Sequence, residues 1–249
     1  MDDIISKNRK TWDVVADHFI DASSLPVWGP FGAGSDLDLI PEIKGKTFLE
    51  IGCGSGRSIK YLLDREAEKV YGLDFSAVQL KESSCCNAKA VAEGKACFIN
   101  GNMEDTLDIE PIDVAYSIYG IGWTSDPVAT FKNIHSYLKP GGMFVWSWDN
   151  TFFFDVAYQN GTYTVIRSYH EEKSFIIQNW KNKGVPAHLI YRKMSSWFRL
   201  LRDAGFEIVE YHEPKPKNLD RGFNDPEKYY AIQKADMVPA TMIFVCRKK

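Results

Sequence analysis

The sequence lacks the features that would mark a membrane-spanning, secreted or metal-bound chain. No apolar run approaches the ~20 residues that a spanning helix needs. The opening Met-Asp-Asp-Ile-Ile-Ser-Lys has no basic region followed by an apolar stretch, so no signal peptide is expected. The five cysteines (Cys53, Cys85, Cys86, Cys97 and Cys246) are odd in number and show no metal-ligand spacing. We therefore expect no metal, and reduced thiols in a cytoplasmic protein. Basic blocks are missing apart from Arg247-Lys248-Lys249, and the formal net charge is −3. Such a balance supplies no long-range attraction for nucleic acid or an acidic membrane. Internal repeats and low-complexity tracts are absent too.

What is present is ordinary globular composition. At 249 residues, 45% hydrophobic and 25% charged, the chain suits one α/β domain with an elaboration. Its organising stretch is Thr47-Phe-Leu-Glu50-Ile-Gly52-Cys53-Gly54-Ser-Gly56-Arg57. A short apolar run ends in Glu50, three glycines follow on alternate positions, and Ile59, Tyr61, Leu62 and Leu63 begin a helical stripe. A strand, a glycine turn and a helix bring a nucleotide-like ligand against bare backbone at a helix N-terminus. Gly52 and Gly54 permit positive φ and close approach, and Gly56 is expected to let the helix pack tightly on the strand. The third glycine falls one residue too early for G-x-G-x-x-G, and no Gly-Lys-Ser/Thr follows, so neither a dinucleotide fingerprint nor a P-loop is supported.

This E-x-G-x-G-x-G pattern resembles the first motif of class I S-adenosylmethionine-dependent methyltransferases of the small-molecule type. Two further landmarks agree. Lys69-Val-Tyr-Gly-Leu-Asp74-Phe75-Ser76 reads as a second strand ending in an acid about twenty residues beyond the turn, where a carboxylate accepts hydrogen bonds from both ribose hydroxyls. Leu138-Lys-Pro140-Gly141-Gly142, a helix end and turn before an apolar strand, is common in the family and has a structural role.

Between these landmarks, Ser76 reads as the N-cap of a helix over about 77–93 that ends at Gly94. Cys97–Asn100 is a third strand running into a polar loop. In the family that loop commonly supplies an acid for the adenine amino group and a backbone amide for a ring nitrogen. The matching positions are Asn102, whose side-chain carbonyl can accept that hydrogen, and Met103; Glu104 or Asp105 are alternatives. Ile112–Ile118 is the fourth strand. The resemblance puts the methionine end of the cofactor beside its end, at Ser117, with Tyr119-Gly-Ile-Gly122-Trp123 following. Asp126-Pro127 opens the next helix. Its apolar face is Val128, Phe131, Ile134, Tyr137 and Leu138, which leaves His135 as a surface residue.

The resemblance implies a Rossmann-like, doubly wound α/β fold with a seven-stranded sheet, the last strand antiparallel, and a small antiparallel β cap inserted after strand 5. The expected divisions are residues 1–45, a helix over about 3–21 plus an irregular connection; 46–148, the cofactor-binding core; 149–193, the cap; and 194–249, a last helix and terminal hairpin. Trp12 either folds over the cofactor or packs on the sheet. Trp28 and Phe31 either line a pocket or anchor their loop. Within the cap, 163–169 alternates as a strand, and 175–180 and 189–193 read as further strands. The polar stretch 213–238 reads as a mobile or substrate-facing connection.

The implied cofactor is S-adenosyl-L-methionine, with Glu50, Gly52, Cys53, Gly54, Gly56, Asp74, Phe75, Asn102, Met103 and Ser117 as its expected contacts. The implied reaction moves a methyl group to an O or N atom of a small molecule by in-line displacement, mainly through positioning. No catalytic residue is assigned: His170, His188, His212, Tyr119 and Asp149 are candidate bases, each also readable as structural. Trp123, Phe152, Phe153, Phe154, Tyr158, Trp180, Tyr191 and Trp197 either form an apolar acceptor pocket or fill the core of the cap. An RNA-modifying methyltransferase is the alternative enzyme, opposed by the lack of a basic patch and of an Asn-Pro-Pro-Tyr-type motif. A non-catalytic cofactor-binding protein of the same fold is the third reading. Neither a membrane nor nucleic acid is an expected partner, and monomer and homodimer both stay open.

Overall fold

The computed structural model describes residues 2–20, 24–217 and 224–249. In chain order its strands are β1 (Thr47–Ile51), β2 (Lys69–Asp74), β3 (Ala96–Asn100), β4 (Ile112–Ile118), β5 (Leu138–Asp149), β6 (Val156–Gln159), β7 (Thr162–Val165), β8 (Ser174–Ile177), β9 (Ala187–Ile190), β10 (Phe206–His212) and β11 (Thr241–Lys248). The α-helices are α1 (Asp2–Val15), α2 (Arg57–Leu63), α3 (Ala77–Cys86), α4 (Ala88–Ala92), α5 (Pro127–Tyr137), α6 (Thr151–Phe154), α7 (Met194–Asp203) and α8 (Ile232–Met237).

One seven-stranded sheet runs in the order β3-β2-β1-β4-β5-β11-β10. Strands β1 to β5 are parallel, and β11 is antiparallel to both its neighbours, β5 and β10. The strand order reverses between β1 and β4, the point where open α/β sheets bind ligands. Buried runs such as Phe48-Leu49-Glu50-Ile51 and Val114-Ala115-Tyr116 form these strands because both faces are covered. One core layer joins Leu49, Ile51, Phe131, Ile134, Trp146 and Trp197. The other, on the opposite face, joins Phe48, Ile59, Leu62, Val70, Tyr116 and Val145.

Caps place the helices as their sequences dictate. Ser76 accepts a bond from Gln79 N at 3.2 Å, and Asp126 accepts from Ala129 N at 3.0 Å ahead of Pro127. The helix expected over 77–93 breaks into α3 and α4, because the Asn87 amide leaves the helix to donate to Gly56 O at 3.1 Å and Ser83 O at 3.0 Å. The same contact corrects the expected role of Gly56. This glycine has φ 74°, and a Cβ there would lie 2.8 Å from Asn87 Nδ2 and 3.1 Å from Ser83 Cα. The close approach is between α2 and α3, not between a helix and a strand.

The small antiparallel cap expected after β5 is present as two hairpins, β6–β7 and β8–β9. Three other expectations change. The alternation over 163–169 ends as a strand at Val165, because its ladder partner β6 begins only at Val156, directly after α6 and Asp155. Trp180 sits in a single 3-10 turn rather than a strand. His135 is half-buried rather than exposed: its ring stands edge-on to Phe206 at 5.2 Å, and burial lowers its pKa.

Trp28 and Phe31 are buried in the core and anchor their loop. The connection expected over 213–238 folds in part as α8, while 218–223 lies outside the described residues, as does 21–23 at the end of the first helical stretch. Among the described residues no helix is long and apolar enough to cross a membrane. None of their His, Cys, Asp and Glu groups is placed to hold a metal.

Candidate active site

The turn after β1 is built onto β2. Gly52 N and Cys53 N both donate to Leu73 O, at 2.8 and 3.0 Å, and Gly52 takes φ 72°, where a Cβ would lie 3.3 Å from Gly120 Cα. The turn is thereby held between the ends of β2 and β4. Asp74, at the end of β2, accepts from Gly54 N through Oδ2 and from Ser76 N through Oδ1, both at 2.9 Å. Two amides fix its plane and leave outward lone pairs for a pair of hydroxyls. Burial pushes its pKa up to about 6 against the pull of these amides. Glu50 is buried and accepts from the Tyr116 hydroxyl at 3.0 Å. Desolvation lifts its pKa to about 8, so it carries a proton at neutral pH.

These groups form one end of a cavity of about 920 Å³, toward the upper end of the ~300–1,000 Å³ range of small-molecule sites. Of the residues expected at the cofactor, Glu50, Gly52, Cys53, Gly54, Asp74, Phe75, Asn102 and Met103 all line it. Gly56 and Ser117 do not. Ser117 is fully buried, with its hydroxyl donating to Ile51 O at 2.7 Å, so it braces the turn from beneath. Asn102 lines the cavity with no side-chain hydrogen bond among the described residues, whereas Glu104 is occupied by Ser125 N at 2.7 Å and Asp126 N at 3.1 Å. Asp105 lies outside the lining.

The fit to an adenosyl cofactor rests on unmet polar capacity. Gln79 Oε1 is buried beside Gly54 without a hydrogen-bond partner among the described residues. Together with Asp74 and Asn102 it gives acceptors for hydroxyl and amino hydrogens around a bare glycine backbone.

The other end of the cavity is aromatic. Trp123 stands edge-on to Trp12, Trp148 and Trp180 at 5.3, 5.7 and 5.4 Å. Trp12 reaches it from α1, so this side chain covers the cavity rather than the sheet. Tyr119, at φ 56° just past β4, is a non-glycine in left-handed backbone, a conformation that the surrounding structure must hold in place. Its hydroxyl pairs with Thr241 Oγ1 at 2.7 Å. Asp149 closes this end, accepting from the Tyr230 hydroxyl at 2.7 Å and the Tyr229 hydroxyl at 3.0 Å. Burial raises its pKa to about 6.

Of the five candidate bases only Tyr119 and Asp149 line the cavity. His170 is exposed, His188 is tied through its backbone to Asn8, and His212 Nε2 lies 2.7 Å from Glu210. Among the aromatics expected to form the acceptor pocket or fill the cap, Trp123, Phe154, Tyr158 and Trp180 line the cavity. Phe152 is exposed, Phe153 and Trp197 are core residues, and Tyr191 donates to Asp155 at 2.7 Å. Sequence reasoning missed His18, Trp148, Lys181, Tyr229, Tyr230 and Lys234. The signal for two of them was present: adjacent tyrosines in an otherwise polar stretch.

Residues 49–146 match the family model described as a methyltransferase domain. Cycloartenol-C-24-methyltransferase 1 of Oryza sativa subsp. japonica is 26% identical over 167 residues, which are 66% of this chain and 44% of that protein. The chain thus spans less than half the length of this curated relative. Two solved structures share the fold. A putative S-adenosylmethionine-dependent methyltransferase from Listeria monocytogenes superposes with TM-score 0.69 at 21% identity, covering 85% of this chain and 94% of its own. A putative methyltransferase of Haloferax volcanii, solved in complex with the Trm112 methyltransferase activator, gives 0.67 at 19% identity, covering 96% and 95%. Residues 49–146 are thus similar to a methyltransferase domain, and the chain shares the fold of solved S-adenosylmethionine-dependent methyltransferases.

Proposed function

We propose that this protein transfers a methyl group from S-adenosyl-L-methionine to an O or N atom of a small molecule, by in-line displacement and mainly through positioning. The observation that carries this reading is a single cavity with a polar glycine cradle at one end and an aromatic chamber at the other. When bound, the cofactor supplies a methyl group already made electrophilic by its sulfonium.

The remaining work falls to the protein. Asp74 and Asn102 hold the ribose and adenine, and Gln79 Oε1 accepts from an amino group. Trp12, Trp123, Trp148 and Trp180 exclude water and hold the acceptor body against the cradle. Alignment of two bound reactants is worth roughly 7–11 kcal/mol of barrier. Where the attacking atom still carries a proton, the Tyr229–Asp149 pair receives it: the phenol oxygen accepts, and the carboxylate takes the proton that the phenol gives up.

Calorimetry with S-adenosylhomocysteine, followed by tritiated-methyl transfer into a metabolite extract and into bulk RNA, tests the proposal. Micromolar binding with label in small molecules is expected. Label entering RNA alone favours the RNA-modifying alternative, and no binding rejects the cofactor assignment for the whole chain.

A further inference from the structure

Charge around the aromatic chamber does not balance. Arg167 lies 3.7 Å from Asp155 Oδ1. Lys234, almost wholly buried, acts electrostatically on Asp149 and rests 3.8 Å from the Phe153 ring centre. Asp149 acts at a distance on both lysines, but of the three cations Lys181 alone makes no hydrogen bond and no ion pair among the described residues. Its ammonium lies over the rings of Phe19 and Trp180, at 5.0 and 5.1 Å. The neighbouring lysine of the same loop, Lys183, is bound to Asp17 at 2.7 Å, so an acid was within reach of the loop but not of Lys181. Lys181 also takes φ 52°, a left-handed conformation for a residue with a side chain, inside the turn that carries it.

A second observation comes from the adjoining residue. The indole Nε1 of Trp180 is buried without an acceptor among the described residues, and Trp180 and Lys181 both line the cavity. Two neighbouring donors on the cavity lining therefore lack acceptors among the described residues, and one of them is a half-buried cation with no ion-pair partner in contact. Buried donors and charges are normally matched, and a ligand can supply the match. Rings around the ammonium stabilise it in part, yet they satisfy none of its N–H groups. Burial depresses the Lys181 pKa, and the charge that opposes this is Asp149, at the acceptor end rather than at the glycine cradle.

We infer that the methyl acceptor is a small molecule with an apolar or aromatic body and an anionic group, a carboxylate for example, which pairs with Lys181. This rests on the methyltransferase reading and names the substrate class within it. The cofactor's own carboxylate is the rival occupant, and the test separates the two.

The probes are hydroxybenzoate, hydroxybenzamide and hydroxybenzylamine, titrated by tryptophan fluorescence into the full chain saturated with S-adenosylhomocysteine. We expect the carboxylate to bind about tenfold tighter than the neutral and cationic analogues, the equivalent of about 1.4 kcal/mol. Lys181→Met is expected to erase that preference, Lys181→Arg to retain it, and both to leave affinity for S-adenosylhomocysteine within about twofold. Equal or weaker binding of the carboxylate to the wild type, or no binding of it at millimolar concentration, overturns the inference. So does a parallel loss of S-adenosylhomocysteine affinity in Lys181→Met, which assigns Lys181 to the cofactor. Failure of S-adenosylhomocysteine to bind the wild type instead rejects the underlying reading.

Discussion

Asn8 on α1 and His188 on β9 exchange two hydrogen bonds: Asn8 Nδ2 donates to His188 O at 2.9 Å, and His188 N donates to Asn8 Oδ1 at 2.8 Å. Thr11 adds a bond to Pro186 O at 2.5 Å, and Lys183 pairs with Asp17. The edge of the cap is thus stitched to the N-terminal helix, and Trp12 and Trp180 meet beneath the seam. Both segments cover the cavity together.

Asn8→Ala removes the partners of a part-buried backbone N–H and C=O of His188, at a cost of about 1 kcal/mol for each bond. The loss is local. Hydrogen exchange is expected to rise across 186–190 and through α1 while β1, β4 and β5 keep their protection, because cover elements open at lower free energy than the central sheet. Dissociation of S-adenosylhomocysteine is expected to accelerate, as followed by stopped-flow fluorescence. Unchanged exchange at 186–190 removes the stitch from the account.

The sheet and the glycine cradle were legible in the sequence; the floor of the chamber was not. Thr47–Gly56 and Leu138–Gly142 announce themselves because a buried parallel strand and a tight turn are local, and their residue types follow from backbone geometry. Asp74 was found by its spacing from the glycines. Ser117 was placed at the cofactor by resemblance, but its hydroxyl turns back to Ile51 O, a choice of rotamer that no sequence pattern records. Tyr230 reaches Asp149 across 81 residues, and Lys181 enters the cavity from a turn between four-residue strands. Contacts of that range leave no periodicity to read.

Asp74→Asn tests the cradle. The amide keeps the shape but presents one acceptor oxygen instead of two, and its N–H₂ meets the amide of Gly54 or Ser76 donor to donor. Losing a charge-assisted bond costs about 1.5–3 kcal/mol, so affinity for S-adenosylhomocysteine by calorimetry should fall roughly tenfold to a hundredfold. Equal affinity takes Asp74 out of the site.

Gly56→Ala tests the α2–α3 contact. The new methyl group would lie 2.8 Å from Asn87 Nδ2 and 3.0 Å from Ser83 Oγ, on a backbone with φ 74°. Strain of this kind costs about 1–3 kcal/mol, read as a lower midpoint in urea with an unchanged slope. Asn87→Ala in the same background should relieve only the clash with Asn87, since Ser83 still crowds the methyl group and two Asn87 hydrogen bonds are lost. A Gly56→Ala protein as stable as the wild type contradicts the packing described here.

Glu50 sets a pH dependence. Its ordinary pKa of 4.5 is raised to about 8 in the fold, chiefly by burial. Between those values the native state holds a proton that the unfolded chain has released. Stability therefore falls as pH rises through this window, and the loss is complete only above about 8. Glu50→Gln removes the titration, so its melting temperature should gain on the wild type from pH 5 to 9. Parallel curves would mean that Glu50 is charged at neutral pH.

On the proposed mechanism, Asp149 gives turnover a pH dependence in the opposite sense. A base must be ionised to accept a proton, and burial holds this carboxyl near 6 rather than 3.8. Turnover over Michaelis constant should rise with pH through about 6 in the free enzyme. Asp149→Asn keeps an acceptor for one tyrosine hydroxyl but cannot take a proton. It should lower kcat by roughly 10²–10⁴ and abolish that limb, while affinity for S-adenosylhomocysteine stays at the wild-type value because Asp74 and the glycine turn are untouched. Tyr229→Phe should lower kcat less, since the carboxylate remains and water can replace the phenol as the link. Retention of the acid limb in Asp149→Asn would assign it to another group, and a matched loss of S-adenosylhomocysteine affinity would make Asp149 part of the cofactor site instead.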